Sequence, residues 1–278
     1  YPIKISNNYY VNKHLKYIEN YYSKTSSEEF PVRVADDLYM NKILLDTIWS
    51  DIAGSELNGN EGYKYSDLGF YWLYKIIEDL ARTSIESYLD SAFYSTMGAW
   101  SLCFNPLDRF DKNKITPTEN DLVFRKQIVH GYVHDMGAAM LGGVCGHAGL
   151  FSSANDLAKV MQMYLNGGEY GNIRYLDKET IEYFTRCPDC KNGNRRGIGF
   201  DKPETDTTKN GPTGKLVSAR SYGHTGFTGT IAWIDPEHNL VYIFLSNRIY
   251  PDITNNKLVE FNVRTDIQDA IYSAIIQE

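Results

Sequence analysis

The stretch that most limits what this chain can fold into is "SYGHTGFTGTIAWIDPEHNLVYIFLSNR", residues 221–248. "TIAWID" and "LVYIFL" hold short apolar runs rich in β-branched and aromatic residues, and "PEHN" between them has the proline and asparagine of a tight connection. Two runs joined this way read as an antiparallel hairpin. "SYGHTG" reads as a strand feeding it, and "GIGFD" at 197–201 as another. Apolar runs this short, bounded by turn residues, do not continue a helical period, so this part of the chain reads as sheet.

Upstream the period is helical. "MNKILLDTIWSDIAG" puts Ile43, Leu44, Ile48 and Ile52 on one face and stops at Gly54. In "YSDLGFYWLYKIIEDLAR", Ser66 suits the N-cap and Asp67 the positive helix end, and the run through Ile77 predicts a mostly buried helix. "TSIESYLDSAFYSTMG" opens on a capping box from Thr83 to Glu86. In "SSANDLAKVMQMYLNGG", Ser153 and Asp156 form a second capping box. Leu157, Val160, Met161, Tyr164 and Leu165 share a face, and Gly167 ends the helix. "VNKHLKYIENYYSK" and "LDKETIEYFTR" also have helical spacing, and Ile267, Ile271, Ala274 and Ile275 mark a closing amphipathic helix. Helices, then an antiparallel sheet flanked by them, then a last helix make an α+β layout. We expect one domain over 1–278, with a mainly helical and irregular lobe at 1–190 and the sheet hairpins and closing helix at 191–278.

The hydrophobic share of 42% is enough for a substantial core. The net charge of −7 leaves no basic excess to neutralise phosphates and argues against a nucleic-acid surface. No apolar run is long enough to span a bilayer. "GGVCGHAG" lacks the Lys and Ser/Thr of a phosphate loop, and no cofactor is expected. His130 and His134, four apart with Asp135 adjacent and His147 downstream, would suit zinc on a helix. Gly131 and Val133 are poor helix residues, however, so hydrogen-bonded loop shaping is the expectation and no metal site is assigned. Cys103 and Cys145 sit in apolar surroundings. Cys187 and Cys190, in "CPDC", read as a surface loop with or without a local disulfide.

Two short segments carry the chemistry: Tyr65-Ser66-Asp67 at a helix start, and His224-Thr225-Gly226 on a strand before a hairpin. With "GGVCGHAGLFSSANDLAKVMQMYLNGG" between them, they resemble the serine β-lactamase and penicillin-binding protein superfamily. The likeness is to the branch of class C β-lactamases, D-alanyl-D-alanine carboxypeptidases and related esterases. That resemblance implies a β-lactamase/transpeptidase-like fold and amide or ester hydrolysis through an acyl-serine. It also implies a peptidoglycan-like or other small-molecule substrate, and a place in the cell envelope, the periplasm or outside the cell.

Residue by residue, Tyr65 takes the place of the proton-handling phenol, and His224 that of the usual lysine of the third motif. Asp67 stands where asparagine is usual, and as a carboxylate it cannot donate to a substrate carbonyl. Thr225 offers a hydroxyl to a substrate carboxylate, and Gly226 lets backbone approach it. A backbone N–H of Phe227 or Thr228 supplies half of an oxyanion hole. Asn247 and Arg248 fall where the family contacts a substrate carboxylate.

The family's nucleophile lies in S-x-x-K ahead of the second motif. No lysine in these 278 residues has serine three places before it. The chain therefore reads as a C-terminal portion, with the N-terminal helix and first strands missing and no hydrolysis expected of it alone. The alternative is a non-catalytic module that keeps the fold to bind cell wall or glycan, or to dock to a partner. Truncation would bare a sheet edge and an apolar face, so we expect a dimer or a covering N-terminal segment.

Overall fold

The computed structural model describes residues 2–6, 9–12, 17, 20–57, 59, 62–206 and 208–276. In chain order come β1 (Pro2–Ser6), β2 (Tyr9–Asn12), β3 (Tyr22–Ser23), β4 (Val32–Ala35) and β5 (Leu38–Met40), then α1 (Ile43–Gly54), α2 (Leu68–Ala81) and α3 (Ile85–Leu89). Next are β6 (Pro117–Asp121), β7 (Gln127–His130), α4 (Met136–Met140), α5 (Ala154–Leu165), β8 (Glu169–Tyr170), β9 (Ile173–Arg174) and α6 (Lys178–Thr185). The chain closes with β10 (Tyr222–Thr225), β11 (Ile231–Asp235), β12 (Leu240–Phe244), α7 (Lys257–Glu260) and α8 (Val263–Ile276). Every strand pairing described is antiparallel.

The chain forms two compact units that interleave in sequence: 1–80 with 104–150, and 81–103 with 151–278. They are drawn differently from the 190/191 lobe boundary.

In the first unit, β3, β5 and β4 make a small sheet in that order, and β6 pairs with β7. Val34, Ala35, Leu38, Met40, Tyr71, Val133, Ala138, Ala139 and Cys145 form its buried core. Leu44, Ile48 and Ile52 of α1 pack against that core as the spacing predicts, whereas Ile43, expected on the same face, is exposed at the first turn. The helix expected over 11–24 is corrected where it is described: 9–12 and 22–23 are strand, the latter held by pairing to β5, and 13–16 and 18–19 lie outside the described residues. Local spacing lost there to pairing with a distant strand. The burial expected of α2 is also corrected. Only Tyr71 is buried, while Trp72, Leu73, Ile76 and Leu80 are exposed.

In the second unit, β10–β11–β12 form one sheet, registered Tyr222↔Ile234 and Ile234↔Val241. α5 packs on one face through Met161, beside Tyr222 and Ile234. The other face buries Ile231, Trp233 and Tyr242, and the Tyr242 hydroxyl donates to Arg264 O of α8 at 2.8 Å. Ser153 caps α5 as expected, accepting from Asp156 N at 3.3 Å. The Asp156 carboxylate does not close the box. It turns to Ser101 N and Oγ at 2.8 and 2.6 Å and to Lys159 at 2.8 Å. The cap of α3 is Ser84, one residue later than Thr83, accepting from Ser87 N. "GIGFD" contributes only a single bridge, Asp201 to Gly223, rather than a strand.

α8 forms, but its apolar stripe faces outward. Ile267, Ile271 and Ile275 are exposed, whereas Gln268 and Tyr272 are 0% and 1% exposed. Hydrogen bonds set this rotation. Gln268 Oε1 accepts from Gly214 N at 2.9 Å, and the Tyr272 hydroxyl donates to Asp235 at 2.8 Å. Leaving those buried partners unmet would cost about as much as burying an isoleucine gains. β12 pairs with β11 and with no other strand among the described residues.

Candidate functional site

The second-motif segment lies in the first unit, at the start of α2. Ser66 Oγ accepts from Leu68 N at 3.3 Å, and Asp67 O accepts from Phe70 N at 2.8 Å, so both close the first turn as N-terminal residues should. Tyr65 is 57% exposed just ahead of that turn. In the first turn of the helix, buried Tyr71 stacks on the His147 ring with centroids 4.7 Å apart. The approach is close enough that a Cβ on Gly146 would overlap the Phe70 carbonyl oxygen. Gly146 thus lets the "GGVCGHAG" segment lie against α2.

His147 was read only as a distant member of a histidine set. Its Nε2 lies 2.9 Å from Asp135 Oδ1, and Asp135 also caps α4 by accepting from Ala138 N at 2.7 Å. Burial works against the charged ring, but the Asp135 hydrogen bond, with Cys145 alongside, raises its pKa to about 10. His134 Nδ1 meets Glu119 at 2.8 Å, and His130 Nε2 meets Ile115 O at 2.6 Å. Glu119 and Asp121 in turn take Arg125 between them at 2.5 and 2.7 Å, all three buried. The histidines of "HGYVHD" thus shape this loop by hydrogen bonding.

The third-motif segment lies in the second unit. β10 ends at Thr225 and a tight loop follows, with Gly226 N donating to Thr230 O at 2.9 Å and Gly229 N to Gly226 O at 3.0 Å. Gly229 has φ +105°, and a Cβ on Gly226 would overlap Thr230 Oγ1, so both glycines are demanded by the loop itself. His224, Thr225, Gly226, Phe227, Thr228 and Arg248 are brought together here. Arg248 donates from Nε to Phe227 O at 3.0 Å and from N to Thr228 O at 2.9 Å, and its guanidinium lies over the Phe227 ring at 4.7 Å. It also donates to Asn256 Oδ1 at 3.0 Å. Asn247 is half-buried beside it, after β12.

The imidazole of His224 is held at both nitrogens. Nδ1 lies 2.7 Å from Thr225 O, and Nε2 lies 3.0 Å from an Arg196 terminal nitrogen. The carbonyl only accepts and the guanidinium only donates, so this contact geometry suits a ring that carries its hydrogen on Nδ1. Arg196 escaped the sequence reading because it lies 28 residues away in "KNGNRRG", a stretch that looks like a polar turn. Cys187 and Cys190, a few residues earlier, form a disulfide.

The β-lactamase family profile matches residues 20–261. This chain belongs to the β-lactamase family. It is 34% identical over 247 residues to the Salmonella typhi protein named "Putative D-alanyl-D-alanine carboxypeptidase", covering 81% of the chain and 56% of that relative. The chain thus spans little more than half the length of the curated relatives it matches. Among solved structures it resembles a Mycobacterium bovis β-lactamase at TM-score 0.50 and 19% identity, covering 76% of this chain and 64% of that one. It also resembles simvastatin synthase of Aspergillus terreus at TM-score 0.52 and 17% identity, covering 73% and 53%. These two likenesses establish the β-lactamase-like α+β fold.

Proposed function

We propose that this chain supplies the second- and third-motif walls of a cell-envelope serine hydrolase acting on a carboxylate-bearing amide or ester. In this reading Tyr65 handles the proton and Thr225 anchors the carboxylate. A backbone N–H of Phe227 or Thr228 serves the oxyanion, Asp67 caps its helix, and Arg248 braces the loop that carries those N–H groups. The observation that carries the reading is the His224-Thr225-Gly226 strand end, with its loop held open by two obligatory glycines and its histidine fixed by an arginine. The relative's carboxypeptidase name is consistent with a D-alanyl ligand.

The same reading gives the chain no hydrolysis of its own. An acyl-enzyme needs an activated hydroxyl, and a phenol with a pKa of about 10 needs a neighbouring cation before it can serve as base. Nitrocefin and p-nitrophenyl acetate assays test this. We expect no turnover above the buffer rate, and turnover that is lost in Tyr65→Phe would overturn the reading. N-acetyl-D-alanyl-D-alanine should still bind, and binding should weaken in Thr225→Val. Binding of muropeptide glycan that Thr225→Val leaves untouched would instead support a docking module.

A further inference from the structure

Where the chain leaves β12 and turns into α7 and α8, the second unit holds a cavity of about 290 Å³. Ser246, Arg248, Lys257, Leu258, Phe261 and Val263 are among the residues that line it. An apolar void of ~150 Å³ already takes benzene, so there is room here for a substituted ring. The cavity abuts the third-motif loop. A Cβ on Gly229 would lie 2.5 Å from Ser246 Oγ and 2.7 Å from Leu258 Cδ2. Thr225 is not part of its wall.

The lining includes two cations and no acid. Every partner of the Arg248 guanidinium is neutral. They are the carbonyl oxygens of Phe227, Ile253 and Asn255, the Asn256 side-chain oxygen and the Phe227 ring. These orient the guanidinium and leave its charge in place. Lys257 is exposed, and neither cation has a carboxylate within ion-pairing distance among the described residues. Arg264, at the start of α8, is near enough to Arg248 to repel it and donates to Thr230 O at 3.0 Å. Asp252 and Glu260 are the acids nearest in sequence, but neither lines the cavity, and Asp252 accepts from Thr254 N and Oγ1 at 2.9 and 2.8 Å. In a chain of net charge −7, this is a local surplus of positive charge.

Ser246 provides an independent observation. Its Oγ is buried and has no hydrogen-bond partner, a cost that a ligand acceptor would relieve. Leu258, Phe261 and Val263 make the lining partly apolar, and Phe261 is 66% exposed, leaving ring surface for a ligand to cover.

We infer that this cavity binds a small organic monoanion with an apolar body, an aryl or branched aliphatic carboxylate. Lys257 and Arg248 meet the anion, the Ser246 hydroxyl donates to it, and Leu258, Phe261 and Val263 cover the apolar part. The site is separate from the Thr225 anchor and does not rest on the proposed function. It does bear on the third-motif loop, because Arg248 also holds Thr228 O and Phe227 O at 2.9 and 3.0 Å.

Benzoate is the probe, titrated into nitrogen-labelled chain and followed at the Ser246, Leu258 and Val263 amides. A saturable shift is expected, with a Kd of roughly 0.1–10 mM for so few atoms. Benzamide has the shape without the charge, and inorganic phosphate has charge without the ring. Each should bind about tenfold more weakly or worse. Lys257→Met alters an exposed side chain and should weaken benzoate about tenfold. Phe261→Ser and Ser246→Ala should each weaken it about threefold. Lys257→Met should leave the affinity for N-acetyl-D-alanine unchanged. The absence of a saturable shift overturns the inference, as does benzamide or phosphate matching benzoate. So does benzoate binding that ignores both Lys257→Met and Phe261→Ser, or benzoate that shifts the Thr225 amide and leaves Ser246 and Leu258 unmoved. If benzoate behaves as stated while N-acetyl-D-alanine fails to bind, the proposed function falls and this site stands.

Discussion

Replacing Asp235 by asparagine probes the support of the third-motif sheet. The Asp235 side chain is fully buried at the end of β11. It accepts from Ser218 N at 2.8 Å, Ser218 Oγ at 2.6 Å and Tyr272 Oη at 2.8 Å, with His238 Nδ1 at 3.1 Å. Burial pushes its pKa up, but these donors outweigh burial and hold the carboxyl at about 2, against an ordinary 3.8. At ~1.4 kcal/mol per pKa unit, the ionised form contributes roughly 2 kcal/mol. The amide of asparagine turns hydrogens toward at least one of these donors, and an unmet buried donor costs roughly 1–2 kcal/mol more. We therefore expect Asp235→Asn to lose about 3–4 kcal/mol near neutral pH, by urea unfolding followed in the far-ultraviolet. A depressed folded pKa stabilises above the unfolded value, and that stability is lost as pH falls through the folded one. The gap between wild type and variant should accordingly narrow by about 2 kcal/mol from ~pH 4 down to ~pH 2. A gap that stays constant, or widens on acidification, would refute the reasoning.

Two further perturbations bear on the first unit. Arg125→Met leaves Glu119 and Asp121 buried without their cation and should cost roughly 3–5 kcal/mol in the same unfolding assay, whereas a loss under ~1 kcal/mol would show the network is not a unit. Asp135→Asn keeps a capping side chain but removes the charge that raises the His147 pKa. A raised histidine stabilises below its unfolded pKa and loses that contribution as pH rises through the folded value. The wild type should therefore weaken by ~1–2 kcal/mol between ~pH 6.5 and ~pH 10, allowing for solvent screening, and the variant should not.

Elements with strong local signals were legible. α1, α5 and α6 had helical apolar spacing, with Ser153 in place to cap α5, and the β11–β12 hairpin had two short apolar runs around a turn sequence. The misreadings share a cause, which is that a distant partner decided the outcome. Tyr22 pairs with Met40, and Gln268 with Gly214. Both are choices no local window contains. The candidate motifs stood out in the sequence because each is contiguous, as in 65–67 and 224–226. Arg196 and His147 did not, because His224 and Tyr71, which they meet, lie far from them in sequence, and nothing about an arginine in "GNRRG" or a histidine in "CGHAG" announces the partner.

The interleaving of the two units bears on how the chain is made. Residues 81–103 leave the ribosome before 104–150, yet Tyr94, Met97 and Leu102 bury themselves with Met163 and Ile181. The first unit has all its parts once residue 150 has emerged. Until α5 and α6 follow, those three apolar side chains wait without shelter, and that interval is when a nascent chain of this kind most needs a chaperone.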